Sequence, residues 1–192
     1  MDVLLSPGER LASYRPQPPS IRPHLLARLR PAAVLVPLFQ REDEWHVLLT
    51  RRAEGLSNHK GQVAFPGGAQ EPGDPDLVTT ALREAFEEIG LPPDVVQVIG
   101  TLSRQPVISG YLVTPVVGVI PARVRLRPAR AEIARIFTVP LLWLADERHV
   151  RTEYREWEGM TYPIYVYEPY EGEVIWGLTA RILRELIQVL GL

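Results

Sequence analysis

A helix that is apolar on one side and triply acidic on the other leaves a chain few ways to fold. Residues 75–90 carry that pattern: Val78, Leu82, Ala85 and Ile89 fall on one side, while Glu84, Glu87 and Glu88 share the opposite sector. Asp74 reads as the N-cap, Pro75 as the first helical residue and Gly90 as the C-terminal stop. The apolar side must be covered by another layer. The acidic side is self-repelling, by roughly 0.2–0.5 kcal/mol for each exposed like pair four residues apart and by more inside a cleft. A divalent cation offsets that repulsion. Oxygen-only donors suit magnesium, which is commonly shared between carboxylates and substrate phosphates, and phosphoanhydride hydrolysis is the chemistry such a face would serve. Taken alone the pattern suits a solvated surface better, because glutamate is a strong helix former. Its frame argues otherwise, since a glycine-rich, aperiodic loop precedes it and a glycine turn follows.

The rest of the chain supplies layers for that helix. Two β-like runs, Ala32 to Phe39 and Trp45 to Arg51, flank a charged turn and predict an antiparallel hairpin whose first strand is central. Residues 53–73 lose periodicity and end in Phe65-Pro66-Gly67-Gly68, a long loop of the kind that often carries function. Strands are expected at Val95 to Leu102 and Leu112 to Pro121, a short helix at Val139 to Ala145, and a late hairpin from His149 to Trp157 and Tyr162 to Glu168. Apolar residues at 178, 182, 186 and 190 mark an amphipathic terminal helix. The order describes one layered α/β domain over residues 32–192. Residues 1–31, with a short helix around Ile21 to Leu29, form an extension packed on it.

Composition narrows the function. The formal net charge is −2, which gives no electrostatic footprint for nucleic acid. There are no cysteines, so any metal must be held by oxygen or imidazole. No signal-like start and no apolar run of spanning length are found, so no membrane partner is expected and a cytoplasmic location is the default. The oligomeric state is not legible.

Residues 68–91 resemble the Nudix box: Gly68, Asp74, Arg83-Glu84-Ala85, then Glu87-Glu88-Ile89-Gly90-Leu91. Two departures stand out, Asp74 in place of glutamate and eight residues rather than seven before Arg83. A second segment, Leu48-Leu49-Thr50-Arg51-Arg52-Ala53 through Gly61 to Phe65-Pro66-Gly67-Gly68, looks like the signature that precedes the box in coenzyme A pyrophosphatases, broken only at Ser57, where the family usually has arginine. The resemblance implies a Nudix-type α/β/α sandwich with a mixed sheet. It also implies magnesium- or manganese-dependent cleavage of coenzyme A, or a derivative, to 3′,5′-ADP and 4′-phosphopantetheine.

It further implies that Glu84, Glu87 and Glu88 are the metal ligands, with Glu84 the first choice of general base and Glu153, Glu156 and Glu158 the alternatives on a later loop. Arg83 is expected to orient a carboxylate by a charge-assisted hydrogen bond. Gly67 and Gly68 would permit close backbone approach or a positive φ. Arg52, His59 and Lys60 are candidate phosphate contacts. Tyr154, Trp157, Tyr162, Tyr165 and Tyr167 offer rings for adenine, although alternating strand aromatics more often pack. Other substrates compatible with the same box are ADP-ribose, a dinucleotide or a nucleoside triphosphate. A Nudix-fold binding module without catalysis is a further alternative, disfavoured because all three glutamates are present.

Overall fold

A computed structural model describes residues 6–19, 21–56, 59–157 and 160–192. Ser57, Glu158 and the Trp157 side chain lie outside the described residues. The first helix, α1 (Pro7–Ser13), was not expected from periodicity. Its signal is a capping box, in which the Ser6 side chain accepts from the Glu9 N–H and Glu9 reaches back to Ser6 N, with Pro7 at the first turn. Helix α2 (Pro23–Leu26) is a single turn inside the span expected to be helical.

Strand β1 (Arg30–Arg41) and strand β2 (Glu44–Arg52) form the expected antiparallel hairpin, with Arg41 opposite Glu44. Glu42 and Asp43 both take positive φ (50° and 64°), as the two-residue turn that matches strand twist requires. Arg30 and Pro31, assigned to the extension from sequence, already belong to β1. Within the span expected to be loop stand two short strands, β3 (Val63–Ala64) and β4 (Gly67–Ala69), and α3 (Leu77–Ile89) follows. After α3 follow β5 (Gln97–Thr101), β6 (Gln105–Val107), β7 (Tyr111–Val119) and β8 (Ile133–Pro140), then α4 (Leu141–Ala145), the hairpin β9 (Val150–Trp157) and β10 (Met160–Tyr167), and the terminal α5 (Gly177–Leu190). The short helix expected from Val139 begins only at Leu141. Val139 and Pro140 complete β8, and Pro140, lacking an N–H, ends the ladder and becomes the N-cap of α4.

Eight of the described strands form one mixed sheet, β3-β2-β1-β7-β5, with β8 on β2, β6 on β7 and β4 on β1. The pair β1 and β7 is parallel, and it joins two otherwise antiparallel halves. Two cores sandwich this sheet. Ala33, Leu35 and Leu48 face Ala81, Ala85 and Ile89 of α3, whereas Val36, Leu38, Val47 and Leu49 face Ile182, Leu183 and Leu186 of α5. The alternation along β1 decides which residue meets which helix, and the result is an α/β/α domain. Leu11 of α1 is buried in the α5-side core, so the N-terminal segment is part of that layer. The late hairpin forms a separate two-stranded sheet. No helix of the described residues is long and apolar enough to cross a membrane.

One edge of β1 is shared, and this builds the site. β2 occupies it from Leu38 to Arg41, and β4 takes it from Ala32 to Val34, with Leu35 N–H donating to Pro66 O (2.9 Å) at the changeover. Gly67 and Gly68 are thereby laid beneath α3.

Candidate active site

Helix α3 starts at Leu77 with Asp76 as N-cap, accepting from Thr79 N–H at 2.7 Å, and not at Pro75 with Asp74 as the cap. The Asp74 carboxylate is engaged elsewhere. Arg83 donates to it from Nε (3.1 Å) and Nη2 (3.0 Å), Thr80 from its hydroxyl (3.0 Å) and Glu71 from its backbone (3.0 Å). Gly90 closes the helix at φ 66°, as expected.

Arg83 is the hub of the acidic face. Besides Asp74 it donates from Nη2 to Ala69 O (3.1 Å) and from Nη1 to Glu84 Oε1 (3.0 Å) and Glu87 Oε2 (3.2 Å). One guanidinium therefore ties loop 69–74, strand β4 and two of the three glutamates together, which only the planar five-donor fork of arginine allows. The Asp74 pairing holds its carboxyl well below the usual carboxylate range and raises the Arg83 pKa further.

Glu88 turns the other way, into the sheet. Its side chain is 5% exposed and accepts from Gly67 N–H (3.3 Å) and Arg52 Nη1 (3.4 Å). Burial pushes its carboxyl up to about 7, with Arg52 pulling it down and the Glu84 and Glu132 charges raising it. Glu84, 17% exposed, is also raised by burial and drawn back by Arg83. Glu87, 55% exposed, stands at the rim. The three glutamates do not converge on one point, and among the described residues no three carboxylate or imidazole groups stand at metal-ligand spacing.

The two glycines work by close approach, not by positive φ. A Cβ on Gly67 would stand 2.4 Å from Ala33 O, and one on Gly68 would stand 2.4 Å from Glu84 Oε1. Arg52, expected on phosphate, instead lies against Glu88, with its Nε buried and unpartnered. His59 is exposed at φ 53°, its Nδ1 at 3.0 Å from Gln62 Oε1, and Lys60 is exposed beside it. The structure thus brings Arg52, Gly67, Gly68, Arg83, Glu84 and Glu88 together and leaves His59 and Lys60 on the loop beyond β2.

Glu132 was missed. Residues 121–132 wrap the end of α3, where Arg127 N–H donates to Ile89 O (2.7 Å) and Ala129 N–H to Glu88 O (2.8 Å), satisfying carbonyls the helix leaves open. The loop then brings Glu132 to the end of β2, with Ala53 N–H donating to Glu132 O (2.7 Å). Its sequence signal was a lone acid in a segment carrying Arg123, Arg125, Arg127 and Arg130. Glu153 and Glu156, expected as loop candidates, are instead residues of β9. Among the described aromatic residues of that hairpin, Tyr154 is 71% exposed, whereas Tyr167 is buried and donates to Leu144 O.

Donor chemistry and charge fit a hard divalent cation. The donors are all oxygen, Glu84 is half-buried and Glu88 buried, and among the described residues Arg83 pairs with Asp74, Glu84 and Glu87 and Arg52 with Glu88, which leaves the carboxylates in excess of their cations.

Residues 29–160 match the model of the NUDIX domain. The chain is 43% identical over 176 residues, 90% of its length and 87% of the relative's, to a Yersinia pestis (strain Pestoides F) protein named uncharacterized Nudix hydrolase NudL. Among solved structures it resembles the Nudix hydrolase RenU of M. Smegmatis (28% identity, TM-score 0.52, covering 62% of this chain and 74% of that one). It also resembles a NUDIX hydrolase of Alicyclobacillus acidocaldarius (20% identity, TM-score 0.53, 83% and 91%), a likeness of fold alone. With the carboxylate helix, its glycine strand and these matches in agreement, the chain belongs to the Nudix family and is a pyrophosphatase of that family.

Proposed function

We propose that this enzyme hydrolyses the pyrophosphate bond of coenzyme A or an acyl derivative, giving 3′,5′-ADP and 4′-phosphopantetheine or its acyl form. The observation that carries the reading is the contact between the two sequence segments. The run from Leu48 to Gly68, which resembles the coenzyme A signature, delivers Arg52 and the Gly67 N–H directly onto Glu88 of the box helix. Residues that distinguish substrate and residues that bind metal then form one wall.

Glu84, Glu87 and Glu88, whose carboxylates would have to turn toward one another from the positions described, would hold magnesium or manganese, which supplies neutralisation of diphosphate charge and acidification of water. Glu84 is positioned as the proton acceptor: it is half-buried, its carboxyl is raised by burial, and Arg83 fixes its orientation. Glu132 is a further carboxylate whose charge reaches both Glu84 and Glu88. His59 and Lys60, exposed on the loop beyond β2, are the donors this reading assigns to substrate phosphates, while Arg52 reaches the site through Glu88. Arg83, saturated by five acceptors, positions the glutamates and is not free for substrate.

Initial rates on coenzyme A, 3′-dephospho-coenzyme A, ADP-ribose and NADH under one set of magnesium conditions test this. Coenzyme A is expected to have the highest kcat/KM. A preference for ADP-ribose or a dinucleotide would transfer the enzyme to those substrates, and the absence of all turnover would favour a binding module.

A further inference from the structure

The sheet face opposite the carboxylate helix holds a cavity of about 410 Å³, between the outer side of α5, strand β6 and the base of the late hairpin. Its wall includes Gln105, Tyr165, Arg181, Arg184, Gln188 and Leu192. Two carboxylates also face it, and both are engaged. Glu147 pairs with Arg184 Nη1 at 2.7 Å. Glu185 accepts from Tyr14 Oη (2.5 Å) and Ser103 N–H (2.7 Å) on one oxygen and from Gln105 Nε2 (2.9 Å) on the other.

Arg181 is left over. Its Nη2 donates to Pro106 O (3.1 Å), its Nε is buried with no acceptor, and no carboxylate lies within ion-pair distance among the described residues. Glu185, one turn along the helix, offsets its charge only from a distance, and burial lowers its pKa. Arginine cannot escape this cost by losing its proton, and a partly buried charge without an ion-pair partner is disfavoured. A lysine or methionine would cover the same helix face without the guanidinium. The Arg181 side chain lines a space large enough for a small organic molecule. Arg184, paired with Glu147 on one side, lies one turn away on the same wall with its guanidinium carbon 5.8 Å from the Tyr165 ring centroid, and the Gln188 amide lies on that wall too.

We infer that this cavity is a second ligand site, remote from the catalytic face, that takes the phosphate group of a small phosphorylated molecule on Arg181 and Arg184. Its organic body would lie along Tyr165 and Leu192.

The test uses inorganic pyrophosphate as the probe on the full chain in excess chelator, so that catalysis and metal play no part, with citrate as the carboxylate control. Pyrophosphate is expected to raise the thermal midpoint and to bind measurably by calorimetry, with citrate inert. Arg181→Gln should weaken that binding about tenfold or more, as loss of a charge-assisted contact implies, while unfolding no lower than the parent without probe. Leu192→Trp, which leaves the guanidinium in place and fills the cavity, should abolish the response. Arg52→Gln, on the catalytic face, should leave it intact. No response in the parent chain, an equal response to citrate, or a response lost in Arg52→Gln and retained in Arg181→Gln or Leu192→Trp would overturn the inference.

Discussion

Adding one methyl group to either of two adjacent glycines separates the fold from the chemistry. An alanine Cβ at Gly67 would lie 2.4 Å from Ala33 O, 2.6 Å from Val34 Cα and 2.7 Å from Val34 Cγ1. Two of those atoms are backbone of the central strand, so β4 must move off β1. Overpacking of this kind costs about 1–3 kcal/mol, and the entropic benefit of replacing glycine, about 0.4–1 kcal/mol, recovers only part of it. At about 2–4 °C per kcal/mol for a chain of this size, Gly67→Ala should lower the thermal midpoint by several degrees. At Gly68 the three atoms nearest the new Cβ all belong to the end of one side chain, with Glu84 Oε1 at 2.4 Å and Cδ at 2.5 Å. That carboxylate can swing aside, so Gly68→Ala should change the midpoint little. It should nevertheless lower kcat by about 10²-fold, the scale expected when a reacting group is displaced by about 1 Å. Thermal unfolding of both variants, with initial rates of coenzyme A cleavage on matched folded protein, reads the two effects apart. Full turnover in Gly68→Ala would show that the placement of Glu84 is unimportant. A midpoint loss equal to that of Gly67→Ala would show that the contact is as rigid as backbone.

Three further outcomes are expected. Burial raises the Glu88 carboxyl above its usual value to about 7, so the stability it contributes is present below about 4.5 and is lost as pH rises through 7. In chelator the parent chain should therefore weaken between pH 5 and 8 relative to Glu88→Gln, which should also cleave orders of magnitude more slowly, and parallel unfolding curves would exclude the buried charge as the cause. Asp74 is depressed by Arg83, so its contribution is present above the ordinary carboxylate range and is lost on acidification; the parent and Asp74→Asn should differ in unfolding midpoint at neutral pH and converge in acid. Magnesium at about 100 times its dissociation constant should stabilise the parent by about 2.7 kcal/mol and do so far less in Glu87→Gln or Glu88→Gln, a comparison that scanning calorimetry can make.

Much of this enzyme was legible along the chain because its signals are local. A 3.6-residue period with an acidic sector, a glycine stop at Gly90 and a hairpin between Phe39 and Trp45 each depend on residues within a few positions of one another, so the helix, the turn and the family resemblance could be read without coordinates. The capping box at Ser6 is an equally local signal, set by Ser6, Pro7 and Glu9. What the chain alone could not show depends on residues far apart in sequence. Asp74 reads as a helix cap until Arg83, nine residues on, takes its carboxylate, and only then does the cap pass to Asp76. Arg52 reads as a free phosphate contact until the shared edge of β1 sets it against Glu88. Glu132 has no local mark of function and acquires one because the loop carrying it satisfies the carbonyls at the end of α3. Residue type and spacing therefore determined which groups the enzyme has. Burial and long-range pairing decided what each group is charged against, since a carboxylate's environment is made by whatever the fold packs around it.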